Sequence, residues 1–72
     1  MYTVTISSDS SHPRTYHVDG KPIAPVKIAY ELGRAESGEI VQIWDDANTD
    51  RMPDHLIYWD DQRREYRPRR SV

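Results

Sequence analysis

One stretch of this chain has helical periodicity, and it is short. Val26, Ala29, Leu32 and Ala35, with Ile28 beside them, fall at helical spacing, while Lys27, Glu31 and Arg34 lie toward the other side. Pro22 and Pro25 discourage helix before residue 25, and Pro25 suits a first helical position, where its missing N–H has no partner to lose. Gly33 weakens the stretch, and Ser37-Gly38 is expected to end it, giving a helix near Pro25–Glu36. Every other apolar cluster is a brief β-branched or aromatic run, so the chain must build an α+β fold around a single helix.

Tyr2-Thr3-Val4-Thr5-Ile6 alternates with period two and reads as a half-buried strand. Ser7 to Pro13 reads as a loop, because Ser and Asp side chains compete for backbone hydrogen bonds. Thr15-Tyr16-His17-Val18 is a short second strand closed by an Asp19-Gly20 turn. Those two strands are expected to form a hairpin with a long connection. Glu39 to Asp45 holds the strongest strand, apolar on both faces, and 45–54 is a polar loop. His55–Trp59 is another strand; Asp60-Asp61-Gln62 turns the chain, and Arg63–Arg67 returns as an edge strand stopped by Pro68. The expected fold is α+β: a small antiparallel sheet of four to five strands with one helix packed on one face, in the order β-β-α-β-β-β. Residues 1–68 form one domain, and 69–72 a disordered basic tail.

The core available to such a fold is small. Its candidates are Val4, Ile6, Val18, Ile23, Val26, Ile28, Ala29, Leu32, Ile40, Val41, Ile43, Trp44, Leu56, Ile57, Tyr58 and Trp59. With 72 residues, no cysteine and no phenylalanine, there is no disulfide to add stability, and five Tyr and two Trp supply all the large aromatic volume. A core of this size gives about 3–5 kcal/mol of net stability. The domain is therefore expected to dimerise or to dock on a partner. No apolar run is long enough to span a bilayer, and the polar start is no signal peptide, so no membrane role is expected and the chain is read as cytoplasmic.

Catalysis finds little support. His12, His17 and His55 have neither i,i+4 spacing nor a His-Glu-x-x-His string. Asp50, Asp54 and His55 are a metal-ligating combination on paper, but an acid-rich loop produces one by chance. Serines 7, 8, 10 and 11 lack a base nearby, and glycines 20, 33 and 38 are too scattered for a phosphate loop. The expectation is no enzyme, no cofactor and no metal.

Charge is more informative than its total. Ten Lys and Arg against twelve Asp and Glu give a net charge of −2, yet residues 1–35 carry +1, residues 36–61 carry −7 and residues 62–72 carry +4. The carboxylates of Asp45, Asp46, Asp50, Asp54, Asp60 and Asp61 are expected to converge at one end or edge of the sheet, beside Trp44, Tyr58 and Trp59. Aromatic anchors beside steering charge are the make-up of a protein-docking surface. The blander account is that the acids solubilise loops while the aromatics fill the core. The segment with Arg63, Arg64, Tyr66, Arg67, Arg69 and Arg70 offers an alternative, phosphate contact with a tyrosine that stacks on a base. Against it, those arginines can neutralise Asp60 and Asp61 across the hairpin, and a pI near 5.8 is low for a nucleic-acid binder.

The start Tyr2-Thr3-Val4-Thr5-Ile6, a helix near Pro25–Glu36, the strand Glu39–Trp44 and a closing hairpin running Leu56-Ile57-Tyr58-Trp59-Asp60-Asp61-Gln62-Arg63-Arg64-Glu65-Tyr66 resemble, in element order, the small phage-encoded anti-CRISPR proteins, some type I inhibitors among them. The resemblance implies a stoichiometric inhibitor in the bacterial host cytoplasm. Such an inhibitor binds a protein subunit of a CRISPR effector complex and blocks DNA recognition or nuclease recruitment. Its acidic side chains would stand in for phosphates in a basic channel.

Overall fold

The computed structural model describes residues 1–9, 11–20, 24–49 and 51–69. Five strands and one helix follow in the order β1 (Tyr2–Ser8), β2 (Ser11–Val18), α1 (Pro25–Leu32), β3 (Ile40–Asp45), β4 (His55–Asp60) and β5 (Glu65–Pro68). All neighbouring strands are antiparallel and the sheet order is β2-β1-β3-β4-β5, with β2 and β5 at the edges. The expected α+β architecture is the one found.

Alternation divides the sheet into two faces. Tyr2, Val4 and Ile6 of β1, Val41 and Ile43 of β3, Ile57 of β4 and Tyr66 of β5 are buried together with Ile28 and Ala29 of α1. The helix lies over β4 and β5 and covers this face alone. Val4 sits opposite Ile43 and Val41 opposite Ile57, so the core is a ladder of β-branched pairs across three strands. Ile23, a core candidate, lies outside the described residues.

Local chemistry moved three boundaries. The expected loop at 7–13 is mostly strand: β1 runs to Ser8 and β2 begins at Ser11, with Ser8 opposite Ser11 after a register shift between Ile6 and Ser8. Pro13 is tolerated because β2 is an edge strand. The helix stops at Leu32, one turn short of Glu36. The Gly33 N–H donates to Ala29 O at 2.8 Å, but Gly33 itself is extended, and Ala35 follows at φ 54°, which no helix continues through. Finally, β5 begins at Glu65 rather than Arg63. Asp60 Oδ1 accepts the N–H groups of Gln62 and Arg63 (3.0 and 3.2 Å), and Arg64 adopts φ 52°, which together make a longer turn. Arg69, which the sequence places in a tail, donates its backbone N–H to Leu56 O at 2.8 Å. Residues 70–72 lie outside the described residues.

Beneath the helix end sits a buried polar lock. Glu39 is 0% exposed; its carboxylate accepts the Tyr66 hydroxyl and the Arg34 N–H (3.1 and 3.2 Å to its two oxygens). The Tyr66 oxygen accepts the Ala35 N–H at 2.8 Å, and the Tyr66 N–H donates to the Tyr30 hydroxyl at 3.1 Å. The backbone groups freed when the helix breaks off at Leu32 are thus taken up by side chains from β5 and from the residue before β3.

Candidate docking surface

The other face of the sheet has no helix on it. Thr3 and Thr5 of β1, Ile40, Gln42 and Trp44 of β3, Leu56 and Tyr58 of β4 and Arg67 of β5 point there, all half-buried. The pairs Ile40–Tyr58 and Gln42–Leu56 stand directly opposite each other across β3 and β4, with Trp44 further along the same face beside Thr3. This is an apolar and aromatic strip bordered by threonines on one side and an arginine on the other. A shallow groove of about 410 Å³ opens at its Ile40–Tyr58 end, walled by Gly38, Ile40, Leu56, Tyr58 and Arg69 among others.

The three expected aromatic anchors are divided. Trp44 and Tyr58 share the open face. Trp59 turns to the helix side, where its ring packs edge-on against Tyr66 with centroids 5.0 Å apart. Ile40 and Leu56, expected in the core, join the open face instead. The alternation of Ile40-Val41-Gln42-Ile43-Trp44 carries that signal, since a strand apolar on both sides must present one side away from a lone helix.

The carboxylates do not converge. Because β3 and β4 are antiparallel with Ile40 opposite Tyr58, Asp45 and Asp54 lie at one end of the sheet, and Asp60 and Asp61 at the other. The six residues of β4 separate the two ends, about 20 Å. Much of each group's capacity is spent locally. Asp54 Oδ2 accepts the Asp45 N–H (2.6 Å), Asp45 Oδ1 accepts the Ala47 N–H (2.9 Å), and Asp61 Oδ2 accepts the Ser37 hydroxyl (2.8 Å). Asp46 is exposed, and Asp50 lies outside the described residues. The acidic region is two separate rims at the ends of the open face.

The arginine segment is also divided. Arg63 and Arg64 are exposed in the β4–β5 turn, Arg67 pairs with Glu65 at 3.3 Å, Arg69 borders the groove, and Arg70 lies outside the described residues. Among the described residues none of them forms an ion pair with Asp60 or Asp61. Tyr66 is 4% exposed and locked to Glu39, so it has no ring face to offer a base. Burial, the hydrogen bond to Glu39 and the charge of that carboxylate hold its phenol far above the ordinary value of 10.0, against the opposing pull of the Ala35 N–H and Arg14. This pair was invisible in the sequence, where a glutamate and a tyrosine 27 residues apart carry no mark of contact.

His12, His17 and His55 are exposed; the first two lie on β2 and the third opens β4, and His17 Nδ1 is 3.3 Å from the Thr3 hydroxyl. Among the described residues no three His, Asp or Glu side chains are placed to share a metal ion. No helix among them is long and apolar enough to cross a membrane. Comparison of the chain with protein-family models, curated proteins and solved structures finds no match.

Proposed function

We propose that this chain is a small non-enzymatic interaction domain that docks through the open face of its sheet on a protein of a nucleic-acid-targeting complex and inhibits that complex. The observation that carries the reading is the strip formed by Ile40, Trp44, Leu56 and Tyr58 on a sheet face that the one helix leaves uncovered. Tryptophan and tyrosine, together with arginine, dominate the energetics of protein interfaces, and polar residues form the rim. Here Thr3, Thr5 and Arg67 supply that rim, Gln42 sits within the strip between Ile40 and Trp44, and the groove beside Leu56 and Tyr58 has room for an apolar side chain of a partner.

The acidic ends fit the same reading in a lesser role. Asp46 and Asp54 at one end and Asp60 and Asp61 at the other would steer approach to a partner with basic flanks, while the aromatic strip supplies the affinity. A single phosphate-like row of carboxylates is not part of the proposal, since the two groups stand about 20 Å apart by strand rise. The partner to test first is the one the anti-CRISPR resemblance implies, a protein subunit of a CRISPR effector complex in a bacterial cytoplasm.

The test is binding of the purified chain to a panel of purified type I effector complexes, with a DNA-binding readout. The expected result is a stoichiometric complex that lowers target-DNA binding and is lost in a Trp44→Ser/Tyr58→Ser variant that keeps its strand circular-dichroism signal. Unchanged binding by that variant would overturn the assignment of the face.

A further inference from the structure

The two edges of the sheet are not treated alike. β5 is guarded: it has four residues, it ends in Pro68, and it carries the Arg67–Glu65 ion pair. Short length, proline and charge are the devices by which edge strands avoid pairing with other chains. β2 at the opposite edge has eight residues, and among the described residues its backbone pairs with β1 alone. The register irregularity lies at its Ser11 end and Pro13 sits just outside the regular ladder, so Arg14–Val18 is an uninterrupted stretch of edge.

That stretch, Arg-Thr-Tyr-His-Val, contains no lysine, acid, glycine or proline. Its one formal charge does not stand guard. The Arg14 Nη1 reaches the Tyr16 hydroxyl (3.3 Å) and the Leu32 carbonyl at the helix end (3.5 Å), and the Nε and Nη2 atoms are buried. The guanidinium is folded beneath the helix terminus, where it complements the helix dipole, and leaves a neutral strand edge rich in β-branched and aromatic residues.

We propose that two copies of this chain pair through β2, antiparallel about a two-fold axis, to join their sheets into one of ten strands. A neutral strand is the kind that tolerates its own copy. Centred on Tyr16, the pairing sets Thr15 opposite His17 of the second copy and Arg14 opposite Val18, with no like charges facing each other and Pro13 beyond the ladder. Tyr16 and Val18, half-buried at the edge of the core face, gain cover from the same residues of the second copy. An isologous contact of this kind closes on itself and stops at the dimer. The axis stands perpendicular to the sheet, so both helices share one side and both open faces the other. A ligand with two binding sites would then meet two docking surfaces at once.

Sedimentation velocity of the full chain from about 1 μM to about 500 μM at neutral pH, a range that reports dimers of modest affinity, tests this. Thr15→Lys/His17→Lys, at two exposed positions, is run beside the wild type and places four lysines at the seam. The expected result is a concentration-dependent dimer in the wild type and at least a tenfold weaker one in the variant. As a measurement that does not depend on the variant's folding, amide exchange of the wild type should show Arg14–Val18 becoming more protected as concentration rises. A wild type that stays monomeric throughout, a dimer undiminished in a folded lysine variant, or protection appearing elsewhere than β2 would overturn the proposal.

Discussion

Replacing Tyr66 by phenylalanine deletes one oxygen and leaves the ring packing against Tyr30 and Trp59 in place. The oxygen lost is the donor to a carboxylate that is 0% exposed. A hydrogen bond to a charged group contributes about 1.5–3 kcal/mol, and leaving a buried charge short of a partner adds to that. The Ala35 N–H also loses its acceptor, but Ala35 is exposed and water can replace it, so that part costs little. The expected loss is about 2–4 kcal/mol. A chain of this length has about 4–11 kcal/mol in total, and a core this small, without disulfides, places it at the lower end of that range. At about 4–8 °C per kcal/mol for a small domain, the melting temperature should fall by roughly 8–32 °C.

The same phenol gives the loss a pH signature. Its pKa is raised in the folded state, so folded protein keeps a proton that the unfolded chain releases near pH 10. The associated stability is fully present below pH 10 and drains away as pH climbs above it, by up to about 1.4 kcal/mol per pH unit. Urea titrations at pH 7, 10 and 11 on wild type, Tyr66→Phe, Glu39→Leu and the double variant would read both effects. The wild type should weaken between pH 10 and 11 more steeply than Tyr66→Phe. The double variant should be more stable than the sum of its parts by about 1 kcal/mol or more, because removing both partners leaves no orphaned charge. A Tyr66→Phe loss below about 0.5 kcal/mol, or strict additivity, would refute the reasoning.

Other outcomes follow from single positions. Gly33→Ala should cost at least about 2 kcal/mol in a thermal melt, as steep as core overpacking, because a methyl there overlaps the Tyr66 hydroxyl, Glu39 Oε1 and Ala29 O although its φ is ordinary. Gly20→Ala, at φ +88° in open space, should cost only the backbone strain of about 1–2 kcal/mol in the same assay. Asp60→Ala removes the acceptor for two turn N–H groups and should lower stability by about 1 kcal/mol in urea. If the docking proposal holds, neutralising Asp46, Asp54 and Asp61 to asparagine should slow association with the partner at low salt several-fold and leave dissociation nearly unchanged, as stopped-flow measurement would show.

Period-two runs and one proline-initiated helical stripe were enough to give the strand count, the helix start and the β-β-α-β-β-β order. The helix end was not legible. Ala35 continues the apolar stripe in sequence, and what stops the helix is a Tyr66 hydroxyl and a Glu39 carboxylate that only the fold brings there. Pro13 reads as a loop signal until the strand order shows β2 at an edge. The acids looked like one cluster because they are close in sequence. An antiparallel hairpin sends the residues at its two ends in opposite directions, and a pairing register was needed to see it. Two of three expected aromatic anchors share a face because their strands pair with Ile40 opposite Tyr58; Trp59 has the opposite parity and went to the core side.

The central claim is that Trp44 and Tyr58 on the uncovered face supply the affinity for a protein partner. The most direct measurement is the equilibrium affinity of the purified chain for a type I effector complex, compared among wild type, Trp44→Ser/Tyr58→Ser and Asp46→Asn/Asp54→Asn/Asp61→Asn. Docking through the aromatic strip predicts at least a hundredfold loss for the aromatic variant, about 2.7 kcal/mol, and a loss under tenfold for the aspartate variant. Equal affinity of the aromatic variant and the wild type, with the loss falling on the aspartate variant, would contradict it.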